Sequence, residues 1–286
     1  MNNVDQDQLQ MVGLDSLIRQ AAQFLNTPDP EDGSPHPAWV AITEMRRRGS
    51  RTVFDAAAQL CRSGDPRSRQ VGALVLGQLG ISADSQVPPF WQEQVLELMT
   101  LLNRETVGQN DPEVLKDTCI SLGHLNDVRA VPPLVKLKRH RDARVRYGAA
   151  FGLTGHDDPR AIEALIELAG DFDDRVREWS TFALARVIHT NTPELRNALF
   201  ANLRDASEQI RVEALFGLAQ RRDGRMMQNL AMALDNERPH ELALQSAALM
   251  ADHNLCELLL RAAQHADNWS TPEQEALVEA LRACQC

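Results

Sequence analysis

A short pattern written three times limits what this chain can fold into. Asp142-Ala-Arg-Val145-Arg146-Tyr-Gly-Ala-Ala150-Phe-Gly-Leu153 is followed by Asp173-Asp-Arg-Val176-Arg177-Glu-Trp-Ser-Thr181-Phe-Ala-Leu184 and Ser207-Glu-Gln-Ile210-Arg211-Val-Glu-Ala-Leu215-Phe-Gly-Leu218. Arg146, Arg177 and Arg211 are spaced by 31 and 34 residues. Self-similarity at a period of about 20–50 residues marks a solenoid, in which each repeat buries its apolar face by stacking on its neighbours.

Taking the arginine as position zero, the column extends upstream. Arg69 leads to Leu76 and Leu115 leads to Leu122, as Arg146 leads to Leu153. Small residues recur three and four places on: Gly72 and Ala73, Thr118 and Cys119, Ala149 and Ala150, Ser180 and Thr181, then Ala214 and the larger Leu215. On a helix these places form one stripe, so each repeat contains a helix that packs through a seam of small side chains.

These residues resemble HEAT repeats of the PBS-lyase HEAT-like kind, whose second helix opens with Asp-x-x-Val-Arg. The match is weaker at Asp111, where Leu115 stands in place of the arginine. The run from Trp39 to Leu260 resembles small bacterial HEAT-repeat proteins encoded beside rearrangement-hotspot (Rhs) toxin elements. The resemblance implies an all-α, right-handed α-solenoid of about six or seven helix pairs. Residues 1–286 then form one array: an N-terminal cap helix and proline-rich loop over 1–37, repeats over 38–265, and a capping helix over 266–286.

Apolar residues at helical spacing mark a helix over 14–25, and four prolines break the loop 26–37. Helices are expected over 39–48, 52–61, 70–79 and 90–102, with a polar loop at 103–110. The first helices of the later repeats fall near 131–138, 161–169, 193–203 and 226–234. Helices over 254–265 and 272–284 close the chain, and the register between 235 and 251 is not legible. Thr192-Pro193-Glu194 and Thr271-Pro272-Glu273 read as helix starts capped by threonine.

Composition excludes several functions. A formal charge of -10 argues against a general nucleic-acid binder, which needs a basic face. Cys61, Cys119, Cys256, Cys284 and Cys286 are scattered and odd in number, as in a protein with reduced thiols. Cys284-Gln-Cys286 has the spacing for a tail disulfide or a metal grip, but no set of histidines accompanies it. The first residues lack the basic and apolar regions of a signal peptide, and no apolar run approaches the ~18 residues that span a bilayer. A cytoplasmic protein is expected.

Catalytic chemistry is thinly represented. The repeated Asp and Arg are better read as a structural ladder, since a catalytic site is usually made once. His240-Glu241 resembles the His-Glu pairs of HEAT-type di-iron hydroxylases, but each iron needs several ligands and the pair occurs once, so no metal or cofactor is expected. The run Lys136–Arg144 places cations where a helix ends, which suits the helix dipole. No phosphate loop, nucleophile elbow or triad is present.

The surface between the seams carries the functional expectation. Five places beyond zero a side chain points about 140° away from the arginine. Ile120, Phe151, Phe182 and Phe216 occupy that column, with Val75 read alongside them upstream. Tyr147, Trp179, Asp117, Glu178 and Glu213 flank it on one side, and His124 and Arg186 on the other. In HEAT arrays the second helix lines the concave side, so the resemblance implies an aromatic groove with acids at its edge. Aromatic anchors ringed by charge are typical of protein-binding hot spots. The competing reading packs the phenylalanines between helices.

The reading is a non-catalytic module, monomeric when unbound, that holds one protein partner and touches neither nucleic acid nor membrane. Narrowed by the Rhs resemblance, it is an immunity protein against a cognate toxin domain of the same cell, and the net charge suits a basic one. A bilin-lyase-like protein is the alternative, and an AlkD-like DNA-repair protein, which would need a basic concave face, is a second. Far-ultraviolet circular dichroism should show helix with little sheet, because every periodic segment is 3.6-like; a substantial sheet signal would contradict the fold class.

Overall fold

The computed structural model describes residues 12–31, 33–81 and 88–286. All their regular structure is helical. Expectations for residues 1–11 and for most of the connection between 80 and 89 lie outside the described residues.

The chain divides into two compact units, Met1–Leu153 and Thr154–Cys286. In the first, α1 (Leu14–Phe24) pairs with α2 (Pro37–Arg48), α3 (Arg51–Cys61) with α4 (Pro66–Leu76), α5 (Trp91–Arg104) with α6 (Pro112–Leu125), and α7 (Val131–Lys136) with α8 (Ala143–Leu153). The second helices stack on one another, α4 on α6 and α6 on α8. In the second unit α9 (Pro159–Leu168) pairs with α10 (Asp174–Phe182), α11 (Pro193–Asn202) with α12 (Glu208–Gln220), α13 (Met227–Leu234) with α14 (Glu241–Met250), and α15 (Cys256–Ala263) with α16 (Thr271–Ala283). There α10, α12, α14 and α16 stack in order. Each unit thus holds four pairs among the described residues, because the N-terminal and C-terminal helices pair like the rest.

Capping decides the boundaries. Asp65, Asp111 and Asp173 each accept backbone N–H groups of the following turn, and Pro66 and Pro112 start their helices where a missing donor costs nothing. This starts α4 four residues before the expected 70. Thr192 caps α11 as expected, accepting from Leu195 N. In α16 the cap is Ser270 rather than Thr271, in a reciprocal box with Glu273. His240 caps α14 and so gives the illegible repeat its register. The expected loop at 103–110 is instead a continuation of α5 by one wide turn, Glu105–Gln109, closed by Asn110 N to Glu105 O at 2.8 Å.

The seam of small residues exists, and glycine carries its tightest points. A Cβ built on Gly148 would stand 2.9 Å from the Lys116 backbone, and one on Gly152 2.7 Å from Cys119 O. In the second unit Gly217 is as close to Ala185, at 2.8 Å. Ala149, Ala150, Ser180, Thr181 and Ala214 fill the stripe beside them and are fully buried.

The cysteines depart from the all-reduced expectation: Cys256 and Cys286 form a disulfide, while Cys61, Cys119 and Cys284 are free and buried. The tail pairs with α15 and not within Cys284-Gln-Cys286, because α16 packs back on α15 and brings the Cys256 and Cys286 Cα atoms to 5.3 Å.

Gly152→Ala should lower stability by about 1–3 kcal/mol, because its new methyl meets backbone that cannot yield. Gly224→Ala, where nothing lies within 4 Å, should stay within about 0.5 kcal/mol. Urea denaturation of both variants checks the contrast.

Candidate functional site

The repeated arginine is a frame element. Its Nη1 donates back to the two carbonyls that precede the helix: Arg69 to Ser63 O and Gly64 O at 3.2 and 2.9 Å, Arg146 to His140 O and Arg141 O at 2.9 and 3.3 Å. Arg177 does the same to Asp171 O and Phe172 O at 3.0 and 3.2 Å, and Arg211 to Asp205 O and Ala206 O, both at 2.8 Å. In Arg69 and Arg177 the guanidinium then reaches the next repeat. Arg69 Nε meets Glu105 at 2.7 Å with both side chains nearly inaccessible, and Arg177 Nε meets Asp205 at 2.8 Å. Each acid in turn accepts the N–H of the following cap residue, Asp111 N to Glu105 and Ser207 N to Asp205. The repeated arginine thus forms a ladder as expected, but its acids are Glu105 and Asp205; the repeated Asp65, Asp111 and Asp173 are helix caps.

A second repeated device escaped the sequence reading. Asp127, Asp158 and Asp223 each accept both the backbone N–H and the guanidinium of the arginine two places on, at 2.6–3.2 Å. The signal was an Asp-x-Arg at the start of α7, α9 and α13. The Arg160 guanidinium holds the Asp158 carboxyl down at about 2, and Arg144 does the same for Asp142.

In the second unit the expected aromatic residues converge. The Trp179 and Phe182 rings lie 5.4 Å apart, and Trp179 Nε1 donates to Thr154 Oγ1 at 3.0 Å. Arg186, on the wide turn Ala183–Val187 that ends α10, stands over Phe182 at 5.7 Å and over Phe216 of α12 at 5.4 Å. A cation between two ring faces is held by their quadrupoles while its outer face stays in water. Trp179, Phe182 and Phe216 are half-buried, and Arg186 and Glu178 are exposed. In the first unit His124 meets Phe151 edge-on at 5.1 Å, and Ile120, Tyr147 and Phe151 are half-buried. The side chains of the column are thus partly covered and partly open to solvent. Val75, which lies one place beyond the register, is fully buried.

Two expected groove acids are not on the surface. Asp117 is buried, accepts from Gln70 Nε2 at 2.8 Å and pairs with Lys116 at 3.3 Å; burial raises its pKa. Glu213 is 4% exposed, with Gln209 at 3.2 Å and Arg186 at 3.6 Å on Oε1, and no partner for Oε2. Burial again raises its pKa, against the pull of Arg186. Two places beyond zero the side chain turns toward the stacked neighbour helix, so these acids face protein rather than solvent. Only Glu178 remains as an exposed acid of the set.

No group of three or more His, Cys, Asp and Glu among the described residues has metal-site geometry, and His240 Nδ1 is engaged as a cap by Leu242 N at 3.1 Å. No described helix is long and apolar enough to cross a membrane.

Helix pairs stacked through arginine rungs and small-residue seams define an all-α solenoid of HEAT type, and residues 98–185 match the family of HEAT repeats. The chain is similar to Protein YibA of Escherichia coli (strain K12), with 24% identity over 217 residues, 75% of each protein, and equally to Protein YibA of Escherichia coli O157:H7. The X-ray structure of YibA matches with a TM-score of 0.71 at 20% identity, covering 97% of this chain and 95% of that one. Importin beta matches with a TM-score of 0.55 at 14% identity, covering 94% of this chain and 43% of its own. These likenesses show the fold.

Glu213 has a pH signature. Its folded pKa lies above the ordinary 4.5, so the folded state binds the proton more tightly than the unfolded chain. That contribution is complete below about 4.5 and is lost as pH rises through the folded value. Glu213→Gln should therefore be more stable than wild type at pH 7 and lose its advantage near pH 4, as read by thermal melts across that range.

Proposed function

We propose that this protein is a non-catalytic binding module that docks one protein partner on its second-helix face, and more narrowly an immunity protein that captures a co-encoded toxin domain of the Rhs type. The observation that carries the binding reading is the Trp179–Phe182–Arg186–Phe216 cluster. Its rings are held in place by a hydrogen bond and a stacked guanidinium, and each still leaves part of its surface to water. Aromatic and arginine side chains fixed in this way lose little freedom when a partner covers them, which favours affinity. HEAT repeats commonly mediate protein interactions, and the chain's likeness to small proteins encoded beside Rhs elements supports the narrower reading.

The formal charge of -10 suits a basic partner, since complementary potentials speed encounter and reject wrong partners. Glu178 is the acid placed to contribute, whereas Asp117 and Glu213 are withdrawn from solvent. Tyr147, Phe151 and His124 form a smaller patch in the first unit.

The test is co-expression with the neighbouring toxin domain. Wild type should protect, and a folded Trp179→Ala/Arg186→Ala variant should bind about thirtyfold or more weakly and fail to protect. A separate Tyr147→Ala arm reports on the first-unit patch. Protection by the double variant would place the interface elsewhere, and failure of wild type to protect would reject the immunity role.

A further inference from the structure

The arginine ladder of the second unit stops one rung early, and a cavity opens where it stops. Arg177 meets Asp205, the residue two places before the cap of α12. The corresponding place before the His240 cap of α14 is Arg238, which turns away to Glu273 at 3.0 and 2.7 Å. Arg211 thus meets no acid of the next repeat; the Asp205 carboxylate acts on it only through space. Its Nη1 is held by Asp205 O and Ala206 O as in the other rungs, but no described residue accepts from its Nε or Nη2.

Arg211 instead lines a cavity of about 290 Å³ between α12, α13 and the start of α14. Leu203, Val212, Leu215 and Met232 give it apolar walls, and Asn229, Asn236 and His240 add polar groups to the lining. Glu208 at the lining is the one acid there. The volume lies at the lower end of ligand pockets and suits a group of several carbons.

We propose that this cavity is a carboxylate-binding site, and that its occupant is an aliphatic acid whose carboxylate takes the place held by Glu105 against Arg69 and by Asp205 against Arg177. A guanidinium already oriented by two carbonyls presents its free donors without further ordering, the geometry in which arginine recognises carboxylates best. The apolar walls receive the carbon chain. The site is separate from the aromatic cluster and stands whether or not that cluster docks a protein. The acid has two sources, a free organic acid or the side chain of a glutamate in another protein.

Two probes separate the sources: hexanoate for the free acid, and glutamate blocked at both backbone ends for the side chain. Titration of the full chain by calorimetry should show saturable binding of at least one at about 1 mM, and hexanamide should not bind. The tighter probe identifies the source. Arg211→Gln should weaken binding at least tenfold. Arg238→Asp, which places an acid at the missing rung from within the chain, should also abolish binding. The proposal is overturned if neither acid saturates, if hexanamide binds equally, or if Arg211→Gln binds as wild type does; should that variant not fold, unchanged binding by Arg238→Asp overturns it.

Discussion

The arginine that opens each second helix is the interaction on which the rest of this structure depends. In one side chain it ties down the loop behind it and, in two repeats, the carboxylate of the next repeat, which itself anchors the following helix cap. The Arg69–Glu105 pair is nearly inaccessible, where an ion pair is tolerable only if its remaining donors and acceptors are satisfied. They are, through Ser63 O, Gly64 O and Asp111 N. The rung therefore fixes spacing and register more than it adds raw stability. Removing either partner would strand a buried charge, so the repeat either keeps both or loses the rung.

With the frame held at the helix starts, the helix bodies need only close packing. Gly148, Gly152 and Gly217 let backbones approach to distances no Cβ allows. The face left over is where chemistry accumulates. Half-buried rings around Arg186 form a rigid patch in the second unit, and Glu213 beneath it carries an oxygen without a partner. The place where the rung fails, at Arg211, is also the place where a cavity is lined by polar side chains. Both features arise because each repeat varies the residues that do not hold the frame.

Much of this was legible in the primary sequence. The 3.6-like seam, the Thr192 cap and the terminal helices all follow from local patterns, and they appear within a few residues of where the pattern puts them. What escaped has physical causes. Helix α4 begins at Pro66 because a proline after an Asp cap is a start signal stronger than the apolar pattern behind it. The wide turn at Glu105–Gln109 looks like loop because its residues are polar, yet Glu105 is polar in order to meet Arg69. The Asp-x-Arg device at Asp127, Asp158 and Asp223 was visible and went unread.

The sequence by itself determined that the chain is a stack of helix pairs, because periodicity and capping act over a few residues and require no partner. Only the tertiary structure decided which side chains face water. Asp117 and Glu213 occupy positions that a single helix would expose, and neighbouring helices bury them. Cys256 and Cys286 meet because α16 folds back on α15. Phe182 and Phe216 are held by Arg186, contributed by the end of another turn. Exposure and pairing depend on what the adjacent repeat brings, and that information is spread over residues some 30 places apart, beyond the reach of any local pattern.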